Sequence, residues 1–188
     1  MPWILAAAAT VIAILVFLVR FTSPEPAVQE AARPTNPPSP GAAPDISMMA
    51  PREQADRLFD MIMTAAEQGD TARVAFHTTM AVQAYEMLGE LDNDARYHLG
   101  LIHVVRGEGE LALAQATEME KDVPQHLLAI MLRHSVATLT GDSSAAAQTY
   151  ARFLANYDPE IGIDRPEYEM HRTQIEAFRT EALGSTGQ

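Results

Sequence analysis

The residues best equipped for chemistry in this 188-residue sequence are its six histidines: His77, His98, His103, His126, His134 and His171. Two imidazoles on one helix face share an ion at i,i+3 or i,i+4 spacing. His98 and His103 stand five apart and His126 and His134 eight apart, so neither pair qualifies, and no HExxH occurs. No metal site is expected on that ground. The chain has no cysteine, which excludes disulfides, thiolate nucleophiles, Cys-ligated zinc and thioether-linked haem. Lys121 is the single lysine, which argues against a Lys-centred active site. Gly107-Glu108-Gly109-Glu110 is a turn without the Lys-Ser/Thr of a phosphate loop. No GxSxG elbow occurs, and Ser135 follows His134 directly, a spacing that points the two apart on a helix. The ten methionines, among them Met61, Met63, Met80, Met87, Met119, Met131 and Met170, are scattered. That suits core packing better than a thioether copper site. The expectation is a non-enzymatic chain with no catalytic residue and no cofactor.

Charge narrows the partners. The net charge is −12, and residues 52–183 hold 11 Lys+Arg against 22 Asp+Glu, a balance of −11. A nucleic-acid partner needs a basic stripe, and docking flat on anionic lipid needs the same. Both are disfavoured.

The elements that would position any site begin after a different kind of segment. Trp3 to Val19 is 17 residues without a charge, about 26 Å of helix at the short end of what spans a bilayer. Trp3, Phe17 and Phe21 supply bulk and interfacial aromatics, and Arg20 closes the run where it can snorkel to headgroups. A cleaved signal peptide would want positive charge before the apolar run and small residues at a cleavage site. Neither is present, so 1–21 is expected to be an uncleaved transmembrane anchor. Residues 22–51 carry eight of the twelve prolines and read as a stiff stalk, up to about 90 Å long if fully polyproline II. Arg20 and Arg33 lean toward a cytoplasmic domain. The Ala/Pro-rich, nearly uncharged stalk leans toward a periplasmic one, which is the side expected here.

From Pro51 onward apolar residues recur at helical spacing and no run alternates with period two. Leu58, Phe59, Ile62, Met63 and Ala66 form one stripe, ended by Gly69-Asp70. Further helices are expected over Thr71 to Leu88, Asp94 to Arg106, Glu110 to Lys121, Gln125 to Leu139 and Ser144 to Asn156. Then comes a loop holding Pro159 and Gly162, and a last helix from Pro166 to about Leu183. The fold class is all-α, with hairpins over about 52–89, 94–122 and 125–157 and a capping helix over 165–183.

Gly107 to Gly141 and Ala112 to Ala146 are both 34 residues, the period of tetratricopeptide repeats. Leu99-Gly100, Gly107-Glu108, Ala112 and Pro124, then Gly141-Asp142, Ala146 and Tyr150, resemble that family's helix-pairing and turn positions. Arg96 and Ala116 stand where the family has aromatics. The resemblance implies a repeat array whose first helices line a concave groove. The groove positions fall on Asp94, Tyr97, Leu101, Val104 and Val105, and in the next repeat on Leu128, Met131, Ser135, Thr138 and Leu139. None is Lys, Arg or Asn, so a carboxylate clamp is not expected. An apolar or amphipathic peptide fits better. The expected role is a membrane-anchored protein–protein interaction scaffold, an accessory or assembly subunit of a bacterial membrane complex of respiratory, photosynthetic or cytochrome type. Its partners would be protein subunits of that complex, with lipid met through residues 3–19. Two alternatives remain: a transient periplasmic assembly chaperone of c-type cytochrome or envelope proteins, and a small-ligand or lipid carrier.

Overall fold

The computed structural model describes residues 48–186. The expected anchor, with Trp3, Phe17 and Arg20, and nearly all of the stalk lie outside the described residues. Among the described residues no helix is long and apolar enough to cross a membrane.

Eight helices and no strand make up the described chain. They are α1 (Pro51–Glu67), α2 (Thr71–Glu86), α3 (Asn93–Val105), α4 (Gly109–Asp122), α5 (Leu127–Thr140), α6 (Ser143–Ile161), α7 (Pro166–Met170) and α8 (Arg172–Thr186). The pairs α1–α2, α3–α4 and α5–α6 are hairpins, and the first helices stack on one another, α1 on α3 and α3 on α5. The arrangement is consistent with an α-helical repeat array.

One local device builds all three hairpins. At each turn the glycine bonds a carbonyl three back, and the residue after it bonds one five back. Glu108 N–H reaches His103 O at 2.8 Å, Asp142 N–H reaches Ala137 O at 2.9 Å, and Asp70 N–H reaches Ala65 O at 2.9 Å. This closure needs a left-handed residue between. Gly107 and Gly141 supply it with φ of 77° and 70°, where a β-carbon would clash with the backbone. The acidic residue that follows then serves the next helix. Asp70 accepts from Arg73 N–H at 3.0 Å and Asp142 from Ala145 N–H at 2.9 Å, satisfying N–H groups that the helix itself leaves unpaired. Glu108, one methylene longer, bonds His103 Nδ1 at 2.8 Å instead.

Close packing follows from small residues. Gly100 lets α3 lie against Leu132 of α5; a β-carbon on it would overlap Leu132 Cδ2 and come within 3.1 Å of Cδ1. Ala112 and Ala116 are fully buried on α4. Two apolar clusters result. One gathers Leu58, Ile62, Ala81, Tyr85 and Ile102. The other gathers Met119, Leu127, Leu128, Leu132, Phe153, Tyr168, Ile175 and Phe178.

Two expectations change near the C-terminus. Pro159 does not open a loop, because α6 continues to Ile161. The stripe Thr149, Phe153, Tyr157 and Glu160 is buried against neighbouring elements and carries the helix through the proline, which falls in its final turn. The last helix is interrupted at His171, whose φ of −104° and ψ of 17° leave the helical region. On α2, Ala75 is exposed while Ala81 and Tyr85 are buried.

Candidate functional site

The expected groove is largely occupied by the chain itself. Tyr97 and Met131 are only 5% and 6% exposed, and Leu128 is fully buried. All three belong to the cluster that contains Tyr168, Ile175 and Phe178 of the C-terminal segment. This corrects the reading of these three residues as the lining of an open trough. The segment expected as a capping helix is what covers them. It packs on α6 and α5, and it also reaches the middle hairpin, where the His171 ring meets the Tyr97 ring edge-on at 5.0 Å. Leu101, Val104, Val105, Ser135, Thr138 and Leu139 are half-buried, and Ser135 spends its hydroxyl on Met131 O, at 3.1 Å in its own helix.

Beneath that contact lies a polar cluster at the junction of α1, α2, α3 and the α7–α8 break. Asp94, on the first turn of α3, accepts from His171 Nε2 at 2.8 Å through Oδ1. The same oxygen lies 3.8 Å from His98 Nε2, one helical turn along. Asp94, His98 and His171 are 4%, 9% and 7% exposed, and one ligand atom from each falls within 4.8 Å of the others. They are the one such set of three among the described residues.

A second layer holds these groups. The Tyr85 hydroxyl donates to Asp56 Oδ1 at 2.9 Å and lies 3.0 Å from His98 Nδ1. His98 Nδ1 also lies 3.3 Å from Asp56 Oδ1. Burial, then the charge of Asp56, pushes the Tyr85 phenol far above its ordinary range, so it stays a donor. Its oxygen and the Asp56 carboxylate therefore both accept from His98 Nδ1–H. Phe59 stacks on the His98 ring at 3.9 Å and 12°, fixing its plane. Arg52 bridges the carboxylates, bonding Asp56 at 2.9 Å, Asp92 at 2.8 Å and Asp94 Oδ2.

Burial alone would raise the Asp94 carboxyl. The hydrogen bond from His171 and the surrounding positive charge, Arg52 included, outweigh it and hold Asp94 below the usual carboxylate range. Asp56 is lowered in the same way: desolvation opposes, and the bonds from His98 and Tyr85 and the charge of Arg52 prevail.

The histidine spacings alone could not disclose this set. Asp94 and His98 do stand at i,i+4, but only His–His pairs suggested ligands. His171 lies 77 residues beyond Asp94, and nothing local marks it. Three other histidines bond elsewhere, and His77 meets the Phe76 ring edge-on at 5.1 Å. His103 bonds Glu108 at 2.8 Å, His134 bonds Thr149 Oγ1 at 2.8 Å, and His126 bonds Glu167 at 3.0 Å. No protein-family model matches the chain, and no curated protein or solved structure is significantly similar to it.

Proposed function

We propose that this chain is a membrane-anchored protein–protein interaction scaffold, an accessory or assembly subunit of a bacterial membrane complex, whose hairpins are tetratricopeptide-like. The observation that supports the reading is the repeated construction of the described domain: three hairpins closed by the same glycine turn, with first helices stacked. Such arrays present long surfaces built from neighbouring units. An N-terminal anchor and a proline-rich stalk would confine that surface near the bilayer and raise its effective concentration toward membrane partners.

Self-occupation of the groove moves the binding surface. Tyr97 and Met131 are core residues, so contact with a partner falls to the half-buried rim at Leu101, Val104, Ser135 and Thr138. Co-purification from native membranes tests the reading. The wild-type chain brings down a stoichiometric protein partner. Val104→Glu with Thr138→Glu loses it while circular dichroism stays helical. Absence of any stoichiometric partner sinks the scaffold reading; undiminished capture by the double variant removes the rim from it.

A further inference from the structure

We propose that Asp94, His98 and His171 bind one divalent transition-metal cation of the zinc class. The donor set, two imidazole nitrogens and one carboxylate oxygen, suits such an ion. The spacing suits it as well. Ligands of a tetrahedral zinc ion, each at about 2.0–2.1 Å, stand roughly 3.4 Å from one another. Asp94 Oδ1 lies 2.8 Å from His171 Nε2 and 3.8 Å from His98 Nε2. The two imidazoles supply the third spacing, within 4.8 Å, so the ligands draw together around the ion as it seats.

The hydrogen bonding around His98 is the strongest argument. Its Nδ1–H is committed to Asp56 and Tyr85. In the neutral ring Nε2 then carries a lone pair, turned toward a carboxylate oxygen too distant for a hydrogen bond. Two electron-rich atoms facing each other in a buried site lack what a cation between them provides. A carboxylate behind a histidine is also the outer-shell pattern that orients metal-bound imidazoles and makes them more basic. Arg52 holds Asp94 Oδ2, leaving Oδ1 as a one-point ligand.

Charge points the same way. Asp56 and Asp94 share one guanidinium with the exposed Asp92, so carboxylates outnumber fixed cations here, and a cation beside Asp94 is favoured. On binding, His171 presents Nε2 as a lone pair and carries its remaining proton on Nδ1. Burial of all three ligands makes the site structural: it would clamp the α7–α8 break onto the first turn of α3. The competing occupant is a pair of protons, one on each imidazole.

The full chain, made without a histidine tag and held in mild detergent, is stripped with a chelator, loaded with Zn²⁺ or Co²⁺, desalted and assayed for metal. Wild type retains one equivalent, and bound Co²⁺ shows the visible bands of a nitrogen/oxygen ligand set. His171→Ala retains none. Asp56→Asn keeps all three ligands and removes the charge that supports His98 and pairs with Arg52. It stays helical by circular dichroism and binds Zn²⁺ ~10–100-fold more weakly. The proposal is overturned by a wild-type chain that retains neither metal. It is overturned equally by a folded His171→Ala chain that retains as much as wild type, or by an unchanged affinity in Asp56→Asn.

Discussion

The hydroxyl of Tyr168 accepts the backbone N–H of Leu127 at 2.9 Å, across 41 residues of sequence. Leu127 is the first residue of α5, and His126 before it gives no side-chain cap. Its N–H is one of those a helix leaves unpaired. Tyr168 therefore serves as a cap from a distant element. The same hydroxyl donates to buried Glu160 at 3.0 Å, so one phenol joins the start of α5, the end of α6 and the C-terminal segment.

Tyr168→Phe keeps the ring and removes that junction. It leaves a buried N–H without its acceptor and takes a donor from Glu160. The expected loss is about 1–3 kcal/mol, read as a lower urea midpoint with unchanged helicity. A midpoint equal to wild type would mean that water replaces the phenol and that the cap is dispensable.

Gly100 and Leu132 set the distance between stacked hairpins. Gly100→Ala gains roughly 1 kcal/mol of helix propensity but overpacks against a fully buried leucine, at a cost of about 1–3 kcal/mol. The net expectation is a loss. Leu132→Ala alone costs about 2–5 kcal/mol by leaving a cavity. In the double variant the new methyl enters that cavity, so the combined loss falls short of the sum. Strict additivity in the double-mutant cycle would place the two residues out of contact.

Acid should weaken the fold through three buried histidines, His77, which burial lowers, His126 and His134. Burial lowers His126 below its ordinary value of 6.5, only partly offset by Glu167. Burial also lowers His134, partly offset by its bond to the backbone of Ala146. A lowered folded value means that below 6.5 the unfolded chain takes up protons that the folded chain refuses. Stability from these groups is thus complete above 6.5 and is lost as pH falls from there toward the folded values. Urea midpoints should drop between about pH 7.5 and about pH 5.5. The drop should shrink in His134→Gln, whose side chain can still meet Thr149. An equal drop in that variant would assign the acid sensitivity elsewhere.

The hairpins were legible because their signals are local. Gly69-Asp70, Gly107-Glu108 and Gly141-Asp142 each state a helix end and, within one residue, the start of the next. Pro159 misled because its local meaning, a break, lost to the buried stripe of Phe153, Tyr157 and Glu160. The groove misled for another reason. Spacing shows that Tyr97 and Met131 are apolar positions on first helices, but not whether a later segment covers them. The same later segment brings His171 to Asp94, so the covered groove and the unforeseen cluster share one non-local cause.

Removal of that segment provides the sharpest test of its role. A chain ending at Gly162 lacks Tyr168, His171, Ile175 and Phe178. It would open the cluster around Tyr97, Leu128 and Met131 to water and leave Asp94 without its 2.8 Å partner. The hairpins are closed by their own turns, so helicity per residue should change little. Uncapped arrays, however, expose an apolar face that associates. The truncated chain should bind a hydrophobic dye and form dimers or larger species at concentrations where the full chain does not. A truncated chain that stays in the full chain's state of association, with no added dye binding, would show that the C-terminal helices rest on the array without sealing it. Tyr97 and Met131 would then return to the surface available to partners.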